Sequence, residues 1–186
     1  MLDGVLATGA TTPSLRLEVR DDGGVCGVEL SSERARRWLS DFTRLPTERW
    51  TMRLAHDLAT ELRVDGGAAR FELNCRELRM TRLEVKSGAS DVRVVPPQTP
   101  GTTIAMFDLG AASLEINVPE AVAAHIRADI GLASLTVDES RFARMSSREF
   151  QSREWATASQ RVEITIKAGA SGIRITQRSS GAMRPS

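Results

Sequence analysis

One short pattern, a strand followed by glycine with two small residues and then a second strand, recurs six times along the chain. Its copies are VRDDGGVCGVEL (19–30), RVDGGAARFEL (63–73), EVKSGASDVRV (84–94), MFDLGAASLEI (106–116), RADIGLASLTV (127–137) and TIKAGASGIRI (165–175). With Gly24, Gly67, Gly88, Gly110, Gly131 and Gly169 as phase markers, the spacings are 43, 21, 22, 21 and 38 residues. The unit is therefore about 21 residues, the longest gap holding two units and the last holding one unit plus an insertion. Four residues past the markers stand Val28, Phe71, Val92, Leu114, Leu135 and Ile173, and six past them Leu30, Leu73, Val94, Ile116, Val137 and Ile175, all apolar. Between the two columns stand Glu29, Glu72, Arg93, Glu115, Thr136 and Arg174, all polar. Strict alternation of this kind is the period of a strand with one buried face. Ahead of the glycines, Leu62, Leu83, Ala105, Ile126 and Ile164 and then Val64, Val85, Phe107, Ala128 and Ile166 repeat the inward phase; Asp21 breaks it in the first copy.

Matching residues at matching phase predict coils that stack in parallel register, so the expected fold is all-β: a single-domain parallel β-solenoid of about 21-residue coils, successive coils about 4.8 Å apart. The glycines are expected at the corner between two faces of each coil. Along the outward columns, Glu72, Arg93 and Glu115 alternate in sign and Arg63 stands beside Glu84 one coil on, a pattern that resists slippage more than it adds stability.

Two insertions interrupt the lattice. Residues 31–49 carry Ala35, Trp38, Leu39, Phe42 and Leu45 at helical spacing until Pro46, which predicts a short amphipathic helix near 32–45. Trp50, Met52 and Leu54 then alternate as the coil hidden in the long gap. Residues 140–158 carry Phe142, Met145, Phe150 and Trp155 among polar neighbours and are expected to cover an end or side of the stack. The expected organisation is a flexible segment at 1–12, the solenoid over 13–176 and a disordered tail at 177–186.

Charge and composition exclude several classes. The 25 Lys and Arg against 24 Asp and Glu give a net charge of +1, without the basic excess that nucleic acid or anionic lipid would demand. No stretch reaches the 18 or so uninterrupted apolar residues of a membrane span, and MLDGVLATGATTP has neither the basic nor the apolar part of a secretory signal. Cytoplasmic localisation follows as the expectation, with no direct membrane insertion and at most peripheral association. Cys26 and Cys75 are too few for a disulfide framework and read as small apolar residues.

The run from Trp50 to Ile175, with its WTMRL, ELRVDGGA, LEVKSGASDVRVVPP, GAASLEINVPEAVAAHI, GLASLTVD and RVEITIKAGASGIRI segments, resembles the C-terminal β-solenoid domain of the LiaF-like cell-wall-active antibiotic response proteins. It is similar, too, to the broader "toast-rack" or "putative adhesin" solenoid domains. The resemblance rests on the glycine phase, on Val95-Pro96 and Val118-Pro119 after two strands, and on the segment from Trp155 to Arg161. It implies an accessory or inhibitory partner of bacterial envelope-stress signalling systems, and it carries no catalytic residues across.

Signals for chemistry are sparse. His125 falls on an outward strand position and His56 in a connection, neither with a second ligand at metal spacing, so both are expected as solvated surface histidines. No nucleophile elbow, phosphate loop or dinucleotide fingerprint occurs, and no cofactor is expected; GASG at 169–172 joins two strands rather than opening a helix. One column, Asp22, Asp65, Lys86, Asp108, Asp129 and Lys167, would bring Asp108 and Asp129 together in a sequential stack, a weak pair for a metal. The expected function is a non-catalytic interaction module whose partner is another protein, a membrane sensor or regulator being the candidate, with Trp38, Phe42, Phe150 and Trp155 as interaction residues. The alternatives are a self-assembling structural scaffold and a β-helix carbohydrate-active enzyme. A homodimer through the C-terminal coil is also expected, because the edge of residues 162–175 would be left unpaired.

Overall fold

The structure, a computed structural model, describes the backbone of residues 3–7, 14–22, 25–33 and 49–178 and the side chains of 51–177. The fold is all-β, with no helix among the described residues. Beyond Glu33 the expected helix near 32–45 lies outside those residues, as do Trp38 and Phe42; Ser32 and Glu33 themselves belong to a strand. Two compact units divide the chain, Met1–Leu54 and Ala55–Ser186.

In the first unit the pairing is antiparallel. Strand β1 (Asp3–Ala7) lies in the segment expected to be flexible and pairs with β4 (Arg49–Arg53), while β2 (Ser14–Asp22) pairs with β3 (Val25–Glu33). This corrects two readings. The first glycine copy is a hairpin, with Asp22 opposite Val25, and the strand at Trp50 has an antiparallel partner instead of serving as a parallel rung. Period-two alternation is the same in parallel and antiparallel strands, and the break at Asp21 was the one local departure from the lattice.

The second unit carries the ladders. Strands β5 (Ala59–Asn74), β6 (Arg79–Val95) and β7 (Gly101–Pro119) run through their glycine corners and pair in parallel, Leu62 with Leu83 and Leu83 with Ala105. The coil of β8 (Ala123–Ile130) and β9 (Ser134–Val137) follows in sequence, then β10 (Phe142–Ser146) with β11 (Glu149–Ser152), then β12 (Gln160–Ala168) and β13 (Gly172–Arg178). Spatial order departs from chain order here. Strand β12 lies between β7 and β8, and β13 between β7 and β9, in parallel on both sides. The last coil in sequence is therefore an interior layer, and the edge at 162–175 that motivated an edge-paired homodimer does not exist.

Inside the coils the expected columns form one core. Leu83, Ala105, Ile164 and Ile126 continue one ladder, Val85, Phe107, Ile166 and Ala128 a second, and Val92, Leu114 and Ile173 a third, all buried. The inward residues of β5 and β9, among them Leu62, Val64, Leu135 and Val137, are half-buried because no further strand of this unit covers them. Burial also pushes the Cys75 thiol up to about 11, so this cysteine is the inert apolar residue expected. The 140–158 insertion becomes the β10–β11 hairpin, whose β11 adds antiparallel to the outer edge of β8, Phe150 opposite Ile126. Phe142 and Phe150 are sealed into the core. Phe150 is accordingly a packing residue, and its expected place in an interaction surface is withdrawn.

The marker glycines of this unit stack in one line for a steric reason. A Cβ on Gly88 would meet the Gly67 carbonyl oxygen at 3.1 Å, one on Gly110 that of Gly88 at 2.6 Å, and one on Gly169 that of Gly110 at 3.0 Å. None of them has positive φ; only Gly101, at φ +122° where β7 begins, does so among the described residues. At Gly88, Gly110 and Gly169 glycine is thus required by the close approach of neighbouring coils and not by bending, while Gly67, at the end of the line, has open space where its Cβ would stand.

Candidate interaction face

Strand order decides what the outward columns look like. The column two residues before the corners reads Asp65, Lys86, Asp108, Lys167, Asp129 across β5, β6, β7, β12 and β8. Signs alternate at every step, and the two lysines are the only ones in the chain. Asp108 and Asp129, expected as neighbours that a cation might bridge, are separated by Lys167, which removes the repulsion that suggested a metal. On the other face Glu72, Arg93, Glu115 and Arg174 alternate in the same way, with Arg93 Nε 3.6 Å from Glu115 and, one column over, Arg70 Nε 3.2 Å from Asp91. The inserted β13 supplies Arg174 just as β12 supplies Lys167.

The β10–β11 hairpin completes the first face. Glu149 Oε1 accepts from His125 Nε2 at 2.7 Å and from Arg127 Nε at 3.2 Å. These bonds, His125 first and Arg127 second, hold the Glu149 carboxyl below the usual carboxylate range. His125 is not the solvated histidine expected: its side chain is 14% exposed, with the Trp155 ring edge-on at 5.5 Å. The Arg161 guanidinium lies over the Trp155 ring, 6.0 Å from its centroid. Trp155, half-buried, thus locks the segment after the hairpin onto β8. Arg141 pins the hairpin from its other end, donating to the carbonyls of Glu120 at 3.0 Å and Val122 at 3.3 Å and pairing with Glu154. The buried Ser152 Oγ accepts from Ala124 N at 2.9 Å. His56 is exposed in its connection.

Between β8, β12 and the hairpin turn lies a shallow, open depression lined by Arg127, Asp129, Arg148, Glu149, Thr165 and Lys167. Arg148 Nη1 is 3.1 Å from Asp129 and Arg127 is engaged by Glu149. The interior gap among Leu83, Phe107, Ile116 and Ile164 is about 10 Å³, far below the few hundred Å³ of a small-molecule site. Among the described residues no three His, Cys, Asp or Glu side chains group to hold a metal. Sequence reasoning missed Arg148, Glu149 and Arg127 as one cluster, since only the antiparallel addition of β11 to β8 brings them together; the alternation of Glu149 and Gln151 around Phe150 was the signal for that strand.

A sheet of stacked parallel coils with glycine corners and alternating outward charges is a parallel β-solenoid. Its family is shown by the match of residues 7–117 to the N-terminal domain of toast_rack, DUF2154, and the chain belongs to the toast-rack family. A crystal structure from Clostridium sporogenes ATCC 15579, described as a "putative cell adhesion protein", has the same fold, with a TM-score of 0.79 at 15% identity over 96% of this chain and 83% of that one. No curated protein gives a significant match. No helix among the described residues is long and apolar enough to cross a membrane.

Proposed function

We propose that this chain is a non-catalytic interaction module that offers another protein a rigid, flat face ruled by alternating charges. The observation that carries this reading is the outward surface of β6, β7, β12 and β8, where Lys86, Asp108, Lys167 and Asp129 stand in one row beside the Arg127–Glu149–His125 cluster. Charge patterns of this kind select and orient a partner more than they bind it tightly. The resemblance to LiaF-like proteins points to an accessory or regulatory role beside a membrane sensor in bacterial envelope-stress signalling, exercised from the cytoplasmic side. The adhesion named for the structural neighbour agrees with a binding role.

A photo-crosslinking residue placed at the exposed Thr165 in the intact cell tests this. Capture of a sensor or regulator protein, lost on the charge reversal Arg148→Glu, supports the module. Turnover of a glycan by the purified protein, abolished by Asp108→Asn or Asp129→Asn, would overturn it in favour of an enzyme.

A further inference from the structure

The C-terminal coil occupies a seat whose two walls are made entirely of earlier residues. Strands β7 on one side and β8 with β9 on the other are complete before residue 160, and β12 and β13 are threaded between them. The insert fills the apolar positions of both walls. Their inward positions, Ala105 and Phe107 facing Ile126 and Ala128, receive Ile164 and Ile166, and Leu114 and Ile116 facing Leu135 and Val137 receive Ile173 and Ile175. At the corner Gly169 N donates to Leu109 O at 3.0 Å, and Ala168 O accepts from Gly131 N at 2.9 Å.

Outward charges disfavour closure of the empty seat. Were β8 to slide onto β7, Asp108 would stand against Asp129, whereas the inserted coil places Lys167 between them and Arg174 beside Glu115. The apolar columns are indifferent to the order of coils, since every coil presents Val, Ile, Leu, Ala or Phe inward. The charges therefore favour this order, and the walls suit a strand–glycine–strand segment with lysine at that one position. The link to the insert is the stretch 153–159 between β11 and β12, which passes across β8 from its outer to its inner edge.

We propose that the seat is a strand-binding site, filled in cis within one chain and open to the 160–178 segment of a second copy, giving a reciprocal dimer by exchange of the C-terminal coil. A second copy is the occupant because its segment carries, by identity, the lysine that stands between Asp108 and Asp129 and the isoleucines that fill the apolar columns. The linking stretch changes its path, as in other exchanged elements, which releases Trp155 from His125 and Glu154 from Arg141. This rests on strand order alone and is independent of the partner proposed above.

The test uses two full-length chains, each with Cys26→Ser and Cys75→Ala. One also carries Thr136→Cys, the other Arg174→Cys, positions that are register partners on β9 and β13 at a spacing a disulfide spans. Split between chains, they are held side by side only if β13 of one copy lies beside β9 of the other. Co-refolding at high concentration under mild oxidation is expected to give a disulfide-linked pair of twice the monomer mass. Adding Lys167→Asp to the Arg174→Cys chain and Asp108→Lys with Asp129→Lys to the other should raise its yield above the statistical share, because both crossed seats then alternate in sign while neither chain does so alone. A linked pair no more abundant than the same-cysteine controls, with each chain monomeric by light scattering, would overturn the proposal. A linked pair whose yield ignores the charges would remove the lysine-selective part of it.

Discussion

At the level of single residues, position in the stack outweighs residue type. Gly67 and Gly110 occupy the same phase of the repeat, yet a Cβ at Gly67 meets nothing within 4 Å and one at Gly110 strikes the Gly88 carbonyl at 2.6 Å. Gly110→Ala should therefore cost about 1–3 kcal/mol through overpacking, while Gly67→Ala should be neutral or stabilise by about 0.4–1 kcal/mol through the unfolded chain. Urea midpoints of the two variants decide this, and equal losses would refute the stacking explanation. Glu149 offers a second check. Its folded carboxyl lies below the ordinary range because His125 and Arg127 donate to it, so its contribution is fully present above the unfolded value and fades as pH falls through the folded one. Glu149→Gln should flatten that acidic limb of the stability profile. Proteolysis between Phe142 and Ser152 should also quicken in the variant, and an unchanged limb would show that the cluster does not hold the hairpin.

Among the elements, β12 is enclosed by a parallel partner on each side, with Val162 and Ile166 fully buried and Ile164 nearly so. Ile166→Ala is expected to cost about 2–5 kcal/mol, the usual range for a buried aliphatic truncation. Val137→Ala on the half-buried β9 should cost clearly less in the same denaturant titration. Had β12 been the terminal coil that chain order implies, the ranking would reverse or vanish. The hairpin β10–β11 was legible only as an aromatic-rich insertion. Its role as an added antiparallel strand came from Phe150 meeting Ile126, a contact with no sequence-local trace.

For the whole molecule, the decisive feature is the alternating column Asp65, Lys86, Asp108, Lys167, Asp129. Exposed charge pairs contribute only about 0.2–1 kcal/mol each, so Lys167→Asp alone should lower the urea midpoint modestly, and combining it with Asp108→Asn and Asp129→Asn, which removes both like-charge contacts without setting a new charge against Lys86 or Arg148, should recover part of the loss. Failure of the triple variant to recover would mean that the column does not fix coil order. By itself the sequence determined the inward ladders, the glycine line and the parallel stacking of the coils from 62 onward, because alternation and corner phase are local properties repeated along the chain. Only the tertiary structure decided which coil lies beside which, and that the first copy is a hairpin. The physical reason is degeneracy: every coil offers the same apolar inner face, so hydrophobic burial is equally satisfied by several orders. The small differences that select one order, a lysine between two aspartates and an arginine beside a glutamate, acquire meaning only when distant segments are brought side by side.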